Sequence, residues 1–108
     1  MHPRAAEVAA CLRACIKHWK PDATAIRTAA SGTSLSSVDL MLRIDRRDPE
    51  AAITLLEWLF GAEEGDYKPR DEFDWRPNVQ SGTKLRAQWD KLESLMHALK
   101  EATNGRAH

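Results

Sequence analysis

The chain has 108 residues, 43% of them hydrophobic, with 16 Lys or Arg against 16 Asp or Glu and a formal net charge of +0. That length suits one modest core, the apolar fraction is too high for a disordered chain, and zero net charge argues against a sequence-blind basic coat on DNA. Ala, Leu, Arg, Glu and Lys outnumber β-branched and aromatic residues, which favours helix over strand. The expected class is all-α: a compact bundle of about five helices, forming a single domain over 1–108 with a long loop over 62–80 before the last helix.

A first helix is expected over 4–19, with Val8, Leu12, Cys15, Ile16 and Trp19 on one stripe. Pro3 suits its first turn, and Pro21 ends it by disfavouring helical geometry at Lys20. A thin second helix over 23–30 would start at Asp22 and leave through a left-handed Gly32. A third, over 35–45, buries Leu35, Val38, Met41 and Leu42, with Ser34, Ser36 and Ser37 competing as caps. Arg46 and Arg47 follow at its end, where cations suit the helix dipole. The clearest start is Asp48-Pro49-Glu50, which opens a fourth helix with Ala52, Ile53, Leu56, Leu59 and Phe60 inward and Gly61 as its stop.

Residues 62–80 contain Gly65, Pro69 and Pro77 and no clear period, and loops of that length in a small domain are commonly functional. Glu63 to Asp74 hold six acids against two bases, a net −4, whereas Trp75 to His108 hold six bases against three acids, a net +3. The neutral total therefore conceals an acidic segment followed by a basic helix. That last helix is expected over 82–103, capped by Ser81 or Thr83, with Leu85, Trp89, Leu92, Met96 and Leu99 as a lengthwise seam and Gly105 as its end.

Groups that carry catalysis are scarce. Cys11 and Cys15 lie four apart on one helix face. A disulfide between them would close almost no loop, and CxxxC alone is a poor zinc signal. They read as two small buried thiols in a reducing compartment. His2 and His108 are terminal, and His18 and His97 are isolated in sequence from metal-ligand spacings, so they read as helix-surface residues. Gly82-Thr83-Lys84 resembles the tail of a phosphate-binding loop but lacks the preceding strand and first glycine. No catalytic residue, metal or cofactor is expected, and the protein reads as a binding module and not an enzyme. No apolar run approaches the ~20 residues of a membrane span, and no secretory signal is visible. A cytoplasmic protein with no membrane partner is expected, with Trp19 and Trp58 as a candidate exposed apolar edge for dimerisation.

The most informative stretch runs from Phe73 to Leu92. Phe73 and Trp75 can anchor the loop by aromatic burial. Pro77 would give an extended approach, and Asn78 can bond the turn backbone. Lys84 and Arg86 then stand in the first turns of the last helix, where exposed N–H groups favour anions. Arg46, Arg47, Arg76, Lys84, Arg86 and Lys91 are the candidate nucleic-acid contacts. Glu63, Glu64, Asp66, Asp71 and Glu72 are a rival, partner-binding set.

This stretch resembles the C-terminal domain of replication-initiator and replisome-organiser proteins of phages, prophages and plasmids. Phe73 and Trp75 match that family's aromatic pair, Asn78-Val79 and Ser81 its turn, and Lys84-Leu85-Arg86 its helix start, continued by Trp89, Asp90 and Leu92. Upstream, Leu42-Arg43, Arg46-Arg47, Pro49-Glu50, Ile53 and Leu56-Glu57-Trp58 resemble its preceding helix pair. The similarity covers residues 35–99. Asp74 separates aromatics that are usually adjacent in the family, and 62–70 looks inserted. If the chain is complete, it is expected to keep this domain without the winged helix that usually precedes it, and origin recognition would not carry over. The resemblance implies contact with single-stranded or replication-fork DNA, or with the replicative helicase or its loader. RNA is a further candidate ligand. Two other readings rest on protein contacts: a stand-alone inhibitor or adaptor using the acidic segment, and a helical small subunit of a nucleoprotein effector assembly.

Overall fold

A computed structural model describes residues 1–29, 31–61, 66–68 and 74–106, with the backbone alone at 25, 28 and 101–106. The helices are α1 (Ala5–Trp19), α2 (Ala25–Ala29), α3 (Gly32–Arg43), α4 (Pro49–Phe60) and α5 (Gly82–Arg106), with a 3-10 turn at Arg76–Asn78. No strand occurs among the described residues. The all-α class stands, but four full-length helices carry it, and the expected second helix shrinks to the five residues of α2. A segment so short forms too few backbone hydrogen bonds to offset nucleation. Asp22 does not open it; a turn with Ala23 N–H donating to Lys20 O at 3.0 Å comes first.

Helix α1 lies against α4, α3 and α2, and α3 lies against α5. The inward stripes are largely those that helical spacing predicts. Ala5, Val8, Leu12 and Ile16 of α1, Val38, Met41 and Leu42 of α3, and Leu85, Trp89, Leu92 and Met96 of α5 are all buried. In α4 the buried set widens to include Leu55 and Trp58 beside Ala52, Leu56, Leu59 and Phe60. Trp58 is 4% exposed, and Tyr67 covers it edge-on with ring centroids 5.4 Å apart. Trp19 is flanked by Phe60, with centroids 5.8 Å apart, and by the Arg76 guanidinium 5.3 Å from its ring. The pair therefore forms no free apolar edge, because the chain's own loop residues cover both rings. Cys11 and Cys15 are only half-buried. His18, isolated in sequence, lines the same open cavity as both of them.

Helix boundaries follow their caps. Asp48 Oδ1 accepts from Glu50 N at 3.1 Å with Pro49 in the first turn, as expected, and α4 stops at an extended Gly61. Helix α3 begins three residues earlier than expected, because Ser31 Oγ accepts from Ser34 N at 3.1 Å. Gly32 is thus the first residue of α3 and not the left-handed exit of α2. Ser81 repeats the device at α5, accepting from Lys84 N at 3.2 Å. Helix α5 continues past Gly105 to Arg106, since a single glycine costs a helix only about 1 kcal/mol. Pro77 sits inside the 3-10 turn and not in an extended approach. Asn78 Nδ2 does bond the turn, donating to Asp74 O at 3.1 Å.

The two Ser-Gly-Thr starts lie together. Gly82 N–H donates to Ser34 Oγ at 2.7 Å in a buried bond, and Ser37 Oγ meets Thr83 Oγ1 at 2.8 Å. A Cβ at Gly82 would stand 2.2 Å from Ser34 O and 2.8 Å from Val38 Cγ2, whereas one at Gly32 would meet nothing within 4 Å. The same motif therefore predicts opposite outcomes in a denaturation series. Gly82→Ala lowers stability by about 2 kcal/mol or more, and Gly32→Ala leaves it unchanged or raises it by up to about 1 kcal/mol.

Candidate partner and nucleic-acid interface

Close packing of the α3 and α5 starts aligns the two helices in the same direction. The chain beyond α3 therefore runs beside the second and third turns of α5. Arg86 forks onto Asp45, with Nε to Oδ2 at 2.8 Å and Nη2 to Oδ1 at 3.1 Å. Arg47 Nη2 reaches Asp90 Oδ1 at 2.8 Å, and its guanidinium lies 5.9 Å from the Trp89 ring. Arg47 Nε and Trp89 Nε1 are buried without an acceptor. Within the last turns of α3, Asp39 Oδ2 accepts from Arg43 Nη2 at 3.1 Å, and Asp39 Oδ1 accepts from His2 N at 2.5 Å.

Hydrogen bonds favour the ionised form of Asp39, Asp45 and Asp74. The Arg86 hydrogen bonds pull Asp45 below the usual carboxylate range. The His2 N–H, then Arg43, does the same for Asp39. At Asp74 burial opposes ionisation, but hydrogen bonds from the Arg76 side chain and N–H outweigh it and lower the pKa.

The six basic candidates divide on this geometry. Arg47 and Arg86 are tied to α5 and to the corner after α3, respectively. Arg76 is a loop clamp, with Nη2 on Asp74 Oδ2 at 2.7 Å and its face on Trp19. Arg46, Lys84 and Lys91 are exposed and take part in no ion pair among the described residues. Lys84 and Lys91 are two helical turns apart on one flank of α5, while Arg86 and Asp90 occupy the opposite flank, toward the corner after α3. The candidates thus do not merge into one positive patch.

Arg46 has φ 56, the left-handed region, and is the one non-glycine residue there among the described residues. Its turn lets Arg47 N–H reach Met41 O at 3.1 Å and leaves the neighbouring Ile44 57% exposed.

Of the acidic candidates, Glu63, Glu64, Asp71 and Glu72 lie outside the described residues, as does Phe73. Asp66 is half-buried against the end of α4, its Oδ2 2.2 Å from where a Cβ on Gly61 would stand. The loop is anchored by Val79 and Tyr67, both buried. Tyr67 OH accepts from Trp75 N at 3.0 Å, and Trp75 itself is half-buried. Asp39 and Asp45 carried no signal in the sequence, and Asp90 stood out only through the resemblance, not as a partner of Arg47. Asp45 and Asp90 meet arginines more than forty residues away, at separations of 41 and 43.

The family model for the C-terminal domain of phage replication protein O matches residues 7–99. No curated protein and no solved structure matches the chain.

Two measurements test this geometry. Arg46→Gly relieves the left-handed strain and raises stability by about 1 kcal/mol in denaturant titrations. Because Asp39, Asp45 and Asp74 have lowered folded pKa values, their contribution is complete above the unfolded carboxylate pKa. It is lost as pH falls through the folded values. Melting curves should show Tm dropping below about pH 4, with the gap between the native chain and Asp45→Asn closing over the same interval.

Proposed function

This chain belongs to the phage replication protein O C-terminal domain family, and from that membership we propose that it is a non-catalytic module of a replication complex. Its leading contact in this reading is a protein, the replicative helicase or its loader, met at the corner after α3 and the first turns of α5. A cytoplasmic site of action goes with that role. No helix of the described residues is long and apolar enough to cross a membrane.

One observation carries the preference for a protein partner: the arginines here already have carboxylates. Arg47 and Arg86 face Asp90 and Asp45, so the surface presents alternating signs. Alternating charge suits a partner with its own complementary pattern. A phosphate backbone is uniformly negative and would meet those carboxylates as well as the arginines. The exposed Ile44, flanked by Arg43 and Arg46, adds the apolar anchor that protein interfaces use.

A second reading rests on a different set. Lys84, Lys91 and Arg46 are uncommitted cations that phosphates could use, which makes single-stranded or fork DNA, or RNA, the alternative ligand. The acidic segment 63–72 remains available to an adaptor or inhibitor role.

Titrating the chain with purified helicase, with its loader and with a fluorescent single strand separates these readings. The protein reading predicts a complex with helicase or loader that Ile44→Glu abolishes, and no strand binding at physiological salt. Strand binding with a steep salt dependence, lost in Lys84→Glu/Lys91→Glu, would overturn the preference.

A further inference from the structure

A cavity of about 290 Å³ opens between α1 and the end of α4, lined by Cys11, Ala14, Cys15, His18, Glu57 and Phe60, with Gly61 at its edge. Nothing in the proposed replication role uses it. Cys11 Sγ and Cys15 Sγ lie 4.0 Å apart on its wall. His18 follows three residues after Cys15 and seven after Cys11, which keeps all three on one face of α1. Glu57 faces them from α4. The residues in the cavity wall that suit a soft ion thus all stand on one face of α1, with the carboxylate of Glu57 opposite them.

We propose that this cavity is a binding site for a soft, thiophilic cation of the monovalent copper class, clamped by Cys11 and Cys15. With metal–sulfur bonds of about 2.3 Å, one ion spans sulfurs at their present separation with an angle of about 120° at the metal. That angle fits a three-coordinate site, and His18 is the residue placed to fill the third position by a side-chain rotation. Among the described residues no group of three or more His, Cys, Asp or Glu side chains is placed to hold a metal ion, so only the pair of sulfurs is preformed and the third ligand comes with the His18 rotation.

Ligand type selects the ion. Two thiolates and an imidazole favour soft or borderline cations over Mg or Ca. Ala14 and Phe60 give the site an apolar side. Geometry also disfavours the competing fate of two neighbouring thiols. Helical residues four apart hold their Cβ atoms about 5–6 Å from each other, beyond the about 3.5–4.5 Å that a disulfide needs. A bridging ion leaves α1 intact where a disulfide would distort it. Binding releases the two thiol protons as the two metal–sulfur bonds form.

The test uses the full chain, reduced and anaerobic, titrated with Cu(I) against a chromophoric Cu(I) chelator. One ion per chain is expected, with a near-ultraviolet thiolate-to-copper band. Cys11→Ser and Cys15→Ser should each weaken binding by more than the about 10–100-fold typical of losing an outer-shell partner, and His18→Ala by about 10-fold. Far-ultraviolet circular dichroism checks that α1 survives each substitution. Should a serine variant lose helicity, alkylation of the native chain decides instead: Cu(I) must protect both thiols from iodoacetamide. Absence of stoichiometric binding, binding unchanged by both serine substitutions, or thiols that alkylate equally with and without Cu(I) would each overturn the proposal.

Discussion

Gly82 has no side chain, and the space one would fill is taken by the Ser34 carbonyl and a methyl of Val38. The first turn of α5 therefore closes directly onto the first turn of α3. Its leading N–H is satisfied by Ser34 Oγ in a buried bond. A buried donor left without that acceptor would cost about 1–3 kcal/mol, so the approach and the hydrogen bond require each other. With the starts locked, the residues further along fall into register. Arg86 comes to Asp45 and Arg47 to Asp90, and Trp89 comes under the Arg47 guanidinium.

That register also sets what the proposed contact surface presents. A helix start with Lys84 and Arg86 near free N–H groups reads, in isolation, as an anion site. In the folded chain Ser34 and Ser81 occupy two of those N–H groups, and Asp45 occupies Arg86. The α3–α5 face becomes a surface of paired charges around an exposed Ile44. Such surfaces give specificity and orientation to protein partners more readily than they grip a phosphate backbone. The left-handed Arg46 fits the same picture, since backbone strain is retained where a segment must present a particular shape.

Much of the bundle was legible in the sequence because apolar spacing on α1, α3, α4 and α5 and the Asp48-Pro49 start act locally. The resemblance over residues 35–99 was legible too, and the match over 7–99 extends it to most of α1. The start of α3 was misplaced because Ser34, Ser36 and Ser37 compete as local caps, whereas the folded chain uses Ser31 as the cap and gives Ser34 to Gly82. The pairing of the basic candidates was not legible for a related reason. Composition shows an arginine's charge, but its neutralisation by a carboxylate 41 or 43 residues away depends on tertiary register. Trp58 was mistaken for an edge residue because its cover, Tyr67, comes from a loop without periodicity.

Amide hydrogen exchange of the chain, alone and saturated with the helicase or loader, locates the contact most directly. Added protection is expected over residues 43–47 and over the first turns of α5, from Gly82 to Lys91, with α1 unchanged. Protection confined to α1 or to the segment 62–73, with none at the corner after α3, would contradict that expectation.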